Sequence, residues 1–142
     1  MTGDAARGRE ELERALALAR DWCETRPAER IAQGAAAMAS LALGTHLLVQ
    51  EDLAGARSNL TAALPYAQKA AASGGQFQLD TLALVWLRLC ETERRAGDFE
   101  AARRAFLAAE REAGAAKEKL TSYPSLQALF DDPAIHSELK SR

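Results

Sequence analysis

Residues Ala83 to Ala116 read ALVWLRLCETERRAGDFEAARRAFLAAEREAGAA. Two apolar periodicities flank one short break. Before it, Leu82, Val85, Trp86 and Leu89 recur at intervals of three and four, in register with Leu79 upstream, while Leu84 and Leu87 form a second apolar face. That pattern predicts a helix from about Phe77 to Arg95 that needs two neighbours. The Gly97-Asp98 pair then supplies a turn, after which Phe99, Ala102, Phe106, Ala109 and Ala113 continue with a period of 3.6, leaving Arg103, Arg104, Glu110, Arg111 and Glu112 mostly outside. The stretch is a helical hairpin.

The rest of the chain has the same character. Of 142 residues, 32 are Ala and 20 are Leu, against two Val, two Ile and 6% aromatics, so strands have little to be built from and the chain reads as a single all-α domain over 1–142. A leading helix is expected over 4–24, with Leu12, Ala15, Leu16, Ala19, Trp22 and Cys23 on its apolar side. Thr25 as a cap and Pro27 in a first turn start a second helix that runs to about Gln50. A third begins at Asp52, with a kink or break expected at Pro65, and ends at Ser73-Gly74-Gly75. A short helix near Ile135 to Leu139 closes the chain behind Pro133.

In Ala83–Ala116, Trp86, Leu89, Gly97-Asp98-Phe99, Ala102, Phe106 and Ala109 stand at the spacings of a tetratricopeptide repeat, which the segment resembles. Cys90 replaces the small residue that the family prefers, Glu93 an aromatic, and Gly114 the terminal proline. Moving the frame back 46 positions lays Leu43, Gly44, Leu47, Asp52, Leu53, Ala56, Leu60 and Ala63 over Leu89, Cys90, Glu93, Asp98, Phe99, Ala102, Phe106 and Ala109. A further step of 48 puts Asp4, Leu12 and Ala15 under Asp52, Leu60 and Ala63, making the first helix the second half of an incomplete leading repeat. Leu126, Leu129, Asp132, Pro133 and Leu139 look like the segment that often follows the last repeat in bacterial proteins of this family. The resemblance implies a right-handed array of antiparallel helical hairpins, a TPR-like α-solenoid of about two and a half repeats. Its parts are a leading helix (4–24), repeat one (28–72), repeat two (77–119) and a capping tail (122–140).

Chemistry is sparse. Eighteen Lys and Arg against 20 Asp and Glu give a formal charge of -2, which offers no basic field for nucleic acid. Cys23 and Cys90 form no CxxC pair and read as buried thiols, consistent with a reducing cytoplasm, and the polar N-terminus lacks the pattern of a signal peptide. His46 and His136 have no ligand set around them, and neither a nucleophile elbow nor a phosphate-binding glycine pattern occurs. The expectation is therefore no catalytic residues, no metal and no cofactor. Ile31–Gln50 carries no charge over 20 residues, about the length of a membrane span, but Gln33, Gly34, Ser40, Gly44, Thr45, His46 and many alanines point instead to a helix enclosed by protein.

What remains is surface presentation. By the resemblance, the first helix of each repeat lines a concave groove, which assigns Met38, Leu41, Thr45 and Leu48 in one repeat and Leu84, Leu87, Glu91 and Arg94 in the next, with Arg94 or Arg95 placed to read a partner's carboxylate. The chain is then a cytoplasmic, non-catalytic module that binds a peptide or helix of another protein, or a second copy of itself. Burial of Met38, Leu41 and Leu84 by the first helix or by such a copy is the competing reading. A second function class, a small-molecule sensor, would use an apolar pocket around His46 and Trp86.

Overall fold

The computed structural model describes residues 3–113 and Pro133. Among the described residues there are five helices and no strand: α1 (Gly3–Thr25), α2 (Arg30–Val49), α3 (Leu53–Ala71), α4 (Gln76–Arg95) and α5 (Phe99–Ala113). The turns joining α2 to α3 and α4 to α5 have the same construction. Asp52 N–H donates to the Leu47 carbonyl and its carboxylate accepts from Gly55 N–H at 2.9 Å; 46 positions later, Asp98 N–H donates to Glu93 and its carboxylate accepts from Ala101 N–H at 3.0 Å. Both turns pass through the left-handed region one residue before the Asp, at Gly97 (φ 85°) and at Glu51 (φ 62°). Gly97 adopts that conformation freely, whereas Glu51 is held there against its Cβ.

Each helix packs mainly on its sequence neighbours, α2 on α3 most extensively, and α2 also touches α4. Cross-contacts give the register. Thr81 Oγ1 lies 3.9 Å from Met38 Sδ, Arg95 Nη1 donates to the Leu48 carbonyl at 3.5 Å, and Gln68 Nε2 donates to Glu112 at 2.8 Å. Residues 43, 47 and 44 positions apart thus stand side by side, so α2 runs parallel to α4 and α3 to α5. The hairpin repeat seen in the sequence is a repeat in space.

The core follows the same frame. Ala56, Leu60 and Ala63 on α3 and Ala102 and Ala109 on α5 are buried, with Leu43 and Leu47 on α2 and Leu82, Val85 and Leu89 on α4 against them. Alanines and a glycine set how close the helices come. A Cβ on Gly44 would stand 2.6 Å from Leu60 Cγ, and Leu60 itself is fully buried. Cys90, 46 positions on, is equally enclosed. α1 contributes Leu16, Ala19 and Cys23 to the interior, and Cys23 Sγ donates to the Ala32 carbonyl at 3.1 Å.

Several expectations need correction. α3 runs unbroken through Pro65, whose ring lies on an exposed position, so the missing hydrogen bond falls on the solvent side, where water can serve the Thr61 carbonyl. α2 begins at Arg30 with Glu29 as N-cap; Thr25 Oγ1 instead donates back to Asp21, and the Pro27 carbonyl accepts from Gln33. The step of 48 for the first helix is off by one helical turn: Ala15 is exposed, whereas Leu16, Ala19 and Cys23 are buried 44 positions before the buried Leu60, Ala63 and Ala67. The end of repeat two (114–119) and the capping tail (122–140) lie outside the described residues.

The close approach at Gly44 is open to a direct check. Gly44→Ala is expected to lower stability by about 1–3 kcal/mol through overpacking against Leu60. Gly34→Ala, where a Cβ meets nothing within 4 Å, is expected to be neutral or to gain up to about 1 kcal/mol from helix propensity. Urea melts of both variants decide it.

Candidate interaction surface

α2 presents one stripe to solvent along its whole length. Ile31 is 71% exposed, Met38 44% and Val49 70%, with Ala42 exposed and Ala35 and Thr45 half-buried between them. These positions fall within about 40° of one line on a helix turning 100° per residue and extend for about 27 Å. The stripe is uncharged because the whole run from Ile31 to Gln50 is. α2 is the one described helix long and apolar enough to cross a bilayer, and more than half of that window is buried inside the protein. Its core side and its exposed side are both apolar, which is why composition alone does not show where the surface lies.

Beside it, α4 shows a matching stripe of different chemistry. Phe77 is exposed at the N-terminal end, followed by Asp80, Leu84, Arg88 and Glu91, each half-buried, and then by the exposed Arg95. Glu91 bridges two guanidinium groups, Arg88 Nη1 at 3.1 Å and Arg95 Nη2 at 3.2 Å. Arg95 also reaches the Leu48 carbonyl, placing positive charge at the C-terminal end of α2, where the helix dipole favours it. Asp80 accepts from Gln76 at 2.7 Å. The combined face is apolar along α2, with an acid at one end of α4 and a net positive cluster at the other.

The structure sorts the expected groove residues into two sets. Met38, Thr45, Leu84, Glu91 and Arg95 belong to the face, and Arg94 is half-buried one position from it. Leu41, Leu48 and Leu87, at 6%, 2% and 1% exposure, face the core and do not line an open groove. Each sits one position from a residue that does: Ala42 and Val49 on α2, Arg88 on α4. The family frame missed Ile31, Ala42, Val49, Phe77 and Asp80. The spacing Ile31, Met38, Ala42, Val49 was available in the sequence, but no charged residue marked that side as the outer one, and its one polar residue, Thr45, is matched by Gln33 and Ser40 on the buried side.

Among the described residues, His46 and Trp86 line two different cavities. His46 lines a cleft of about 400 Å³ between α1 and the α2–α3 corner, with Arg9, Glu13 and Asp52, and its Nε2 lies 3.2 Å from the Ala5 carbonyl, a hydrogen bond that requires the proton on Nε2. Trp86 lines a separate open groove of about 460 Å³ among α3, α4 and α5, together with Leu64, Leu89, Arg57, Glu93 and Arg104. At its edge Glu93 is nearly buried and takes a hydrogen bond and ion pair from Arg57 Nε. Among the described residues no group of three or more His, Cys, Asp and Glu is placed to hold a metal ion. Both cysteines are buried free thiols, and burial pushes Cys90 up to about 12.

With family models, curated proteins and solved structures, comparison of the chain finds no match.

Two outcomes are expected at these groups. Arg57→Ala leaves the Glu93 carboxylate in its enclosed site without its partner and is expected to cost about 1–3 kcal/mol, the lower part of the range for a buried charge because Arg57 is itself half exposed. A thermal melt against wild type reads this directly. For Cys90 the folded value is raised above the ordinary 9.0, so the unfolded chain loses its proton first, and stability present below pH 9 falls as pH rises toward 12. Denaturation curves of Cys90→Ala and wild type at pH 8 and pH 10.5 are expected to show the larger loss in wild type, because the variant keeps only the smaller contribution of Cys23.

Proposed function

We propose that this chain is a non-catalytic protein-interaction module of tetratricopeptide-like construction, and that the α2–α4 face is its binding surface. The observation that carries the reading is the exposed, uncharged stripe of Ile31, Met38, Ala42 and Val49 beside the Phe77–Arg95 stripe of α4. Large apolar side chains in a continuous line favour contact with another chain, whereas isolated ones need no explanation. A parallel pair of helices with an apolar strip and a charged end suits an amphipathic helix, which would be held by apolar anchors and oriented by Arg95. A cytoplasmic, bacterial setting fits the paired hairpins and the buried thiols.

The test places a benzophenone amino acid at Met38 or Val49, and at Leu18 as a control on the exposed side of α1. Irradiation in cells is expected to give protein adducts from α2 and not from Leu18. Equal labelling from all three positions, or none from α2, removes the reading.

A second reading has its own observation, the groove around Trp86. Its floor of Leu64, Leu89 and Trp86 with Arg57 and Arg104 at the edge would accept a small amphiphilic anion, making the chain a sensor domain. Such a ligand raises the melting temperature by mass action.

A further inference from the structure

We infer that the occupant of the α2–α4 face is a second copy of this chain, in a two-fold dimer with α2 antiparallel to α2 and α4 antiparallel to α4. This rests on the reading of that face as a protein-binding surface and names its partner. In a two-fold antiparallel helix pair, residues equidistant from the axis meet each other. The α2 stripe is laid out that way about position 40: Ile31 meets Val49, Ala35 meets Thr45, and the long Met38 meets the small Ala42. Two β-branched side chains then close each end, and the centre offers a knob opposite a hole.

The α4 stripe has a similar layout about position 86: Phe77 opposes Arg95 and Leu84 opposes Arg88, while Asp80 falls opposite Thr92, one position from the Glu91 that Arg88 and Arg95 hold. The two centres are 46 positions apart, which is the repeat period, and residues 43 to 47 apart stand side by side in the parallel pair α2 and α4. One axis therefore serves both helices. Charge suits the same arrangement. Asp80 of the other copy falls beside the Arg88–Glu91–Arg95 group, and Phe77 offers its ring to the Arg95 guanidinium.

Sedimentation equilibrium of the full chain is expected to give twice its 15.3 kDa. Met38→Asp, at an exposed position, is expected to give a monomer of unchanged helical circular dichroism. Asp80→Arg is expected to weaken the dimer by about tenfold or more, with recovery in the Asp80→Arg, Arg95→Asp double variant. Under mild oxidation a mixture of Ile31→Cys and Val49→Cys chains is expected to form a disulfide-linked pair, and neither variant alone should. Linkage of each variant to itself overturns the antiparallel arrangement, and a monomer at about 100 µM, a concentration at which even a micromolar dimer is formed, overturns the dimer. The benzophenone at Met38 separates the two levels. Adducts with a different protein from a monomeric chain overturn the dimer and leave the interaction surface standing, whereas no adduct at all removes both.

Discussion

The contact of α2 with α3 at Gly44 sets the geometry of everything else. Only a residue without a side chain lets the buried Leu60 lie against the α2 backbone, whereas Cys90, 46 positions on, is a buried side chain and its α5 counterpart Phe106 is only half-buried. Small residues at Ala56, Ala63, Ala102 and Ala109 keep both hairpins tight. Because each hairpin is tight, its two helices share one narrow core, and the remaining side of α2 is left to face outward. The exposed stripe is a by-product of that close packing: α1, α3 and α4 cover three sides of an apolar helix and leave the fourth uncovered.

The five described helices, most of their limits and the repeat of 46 were legible from the sequence because they depend on local signals: the Asp52 and Asp98 caps, the Gly97 turn, the Gly74-Gly75 break and the apolar period of each helix. Two things were not. Pro65 reads as a kink or a break, since a ring inside a helix removes a hydrogen bond, and the break does not occur because its exposed position lets solvent take up the loss. The expected groove side lies one residue from the exposed face at Leu41, Leu48 and Leu87. In α4 the charges of Arg88, Glu91 and Arg95 mark the outer side, but in α2 both sides are apolar, so a frame taken from a family pattern had nothing in the chain to correct it.

Glu93 shows how a charge is held inside the helix packing. A carboxylate in a nearly enclosed position needs a counter-charge, and α3 supplies one in Arg57, whose own stem stays partly in solvent. An open groove runs beside the pair to Trp86. The ion pair ties α3 to α4 by direction as well as by area.

The neighbour-only pattern of helix packing bears on how the chain assembles and comes apart. Nearly all contacts are local, within a hairpin or between adjacent helices, which favours fast folding in hairpin-sized units. α1 is held by α2 alone among extensive contacts, through Leu16, Ala19, Cys23 and the His46 link to Ala5. It is the unit that opens at least cost, and its departure would bare the reverse side of α2 without disturbing the crossing at Gly44. A chain built this way can lose its first helix and keep the geometry of its exposed α2–α4 face.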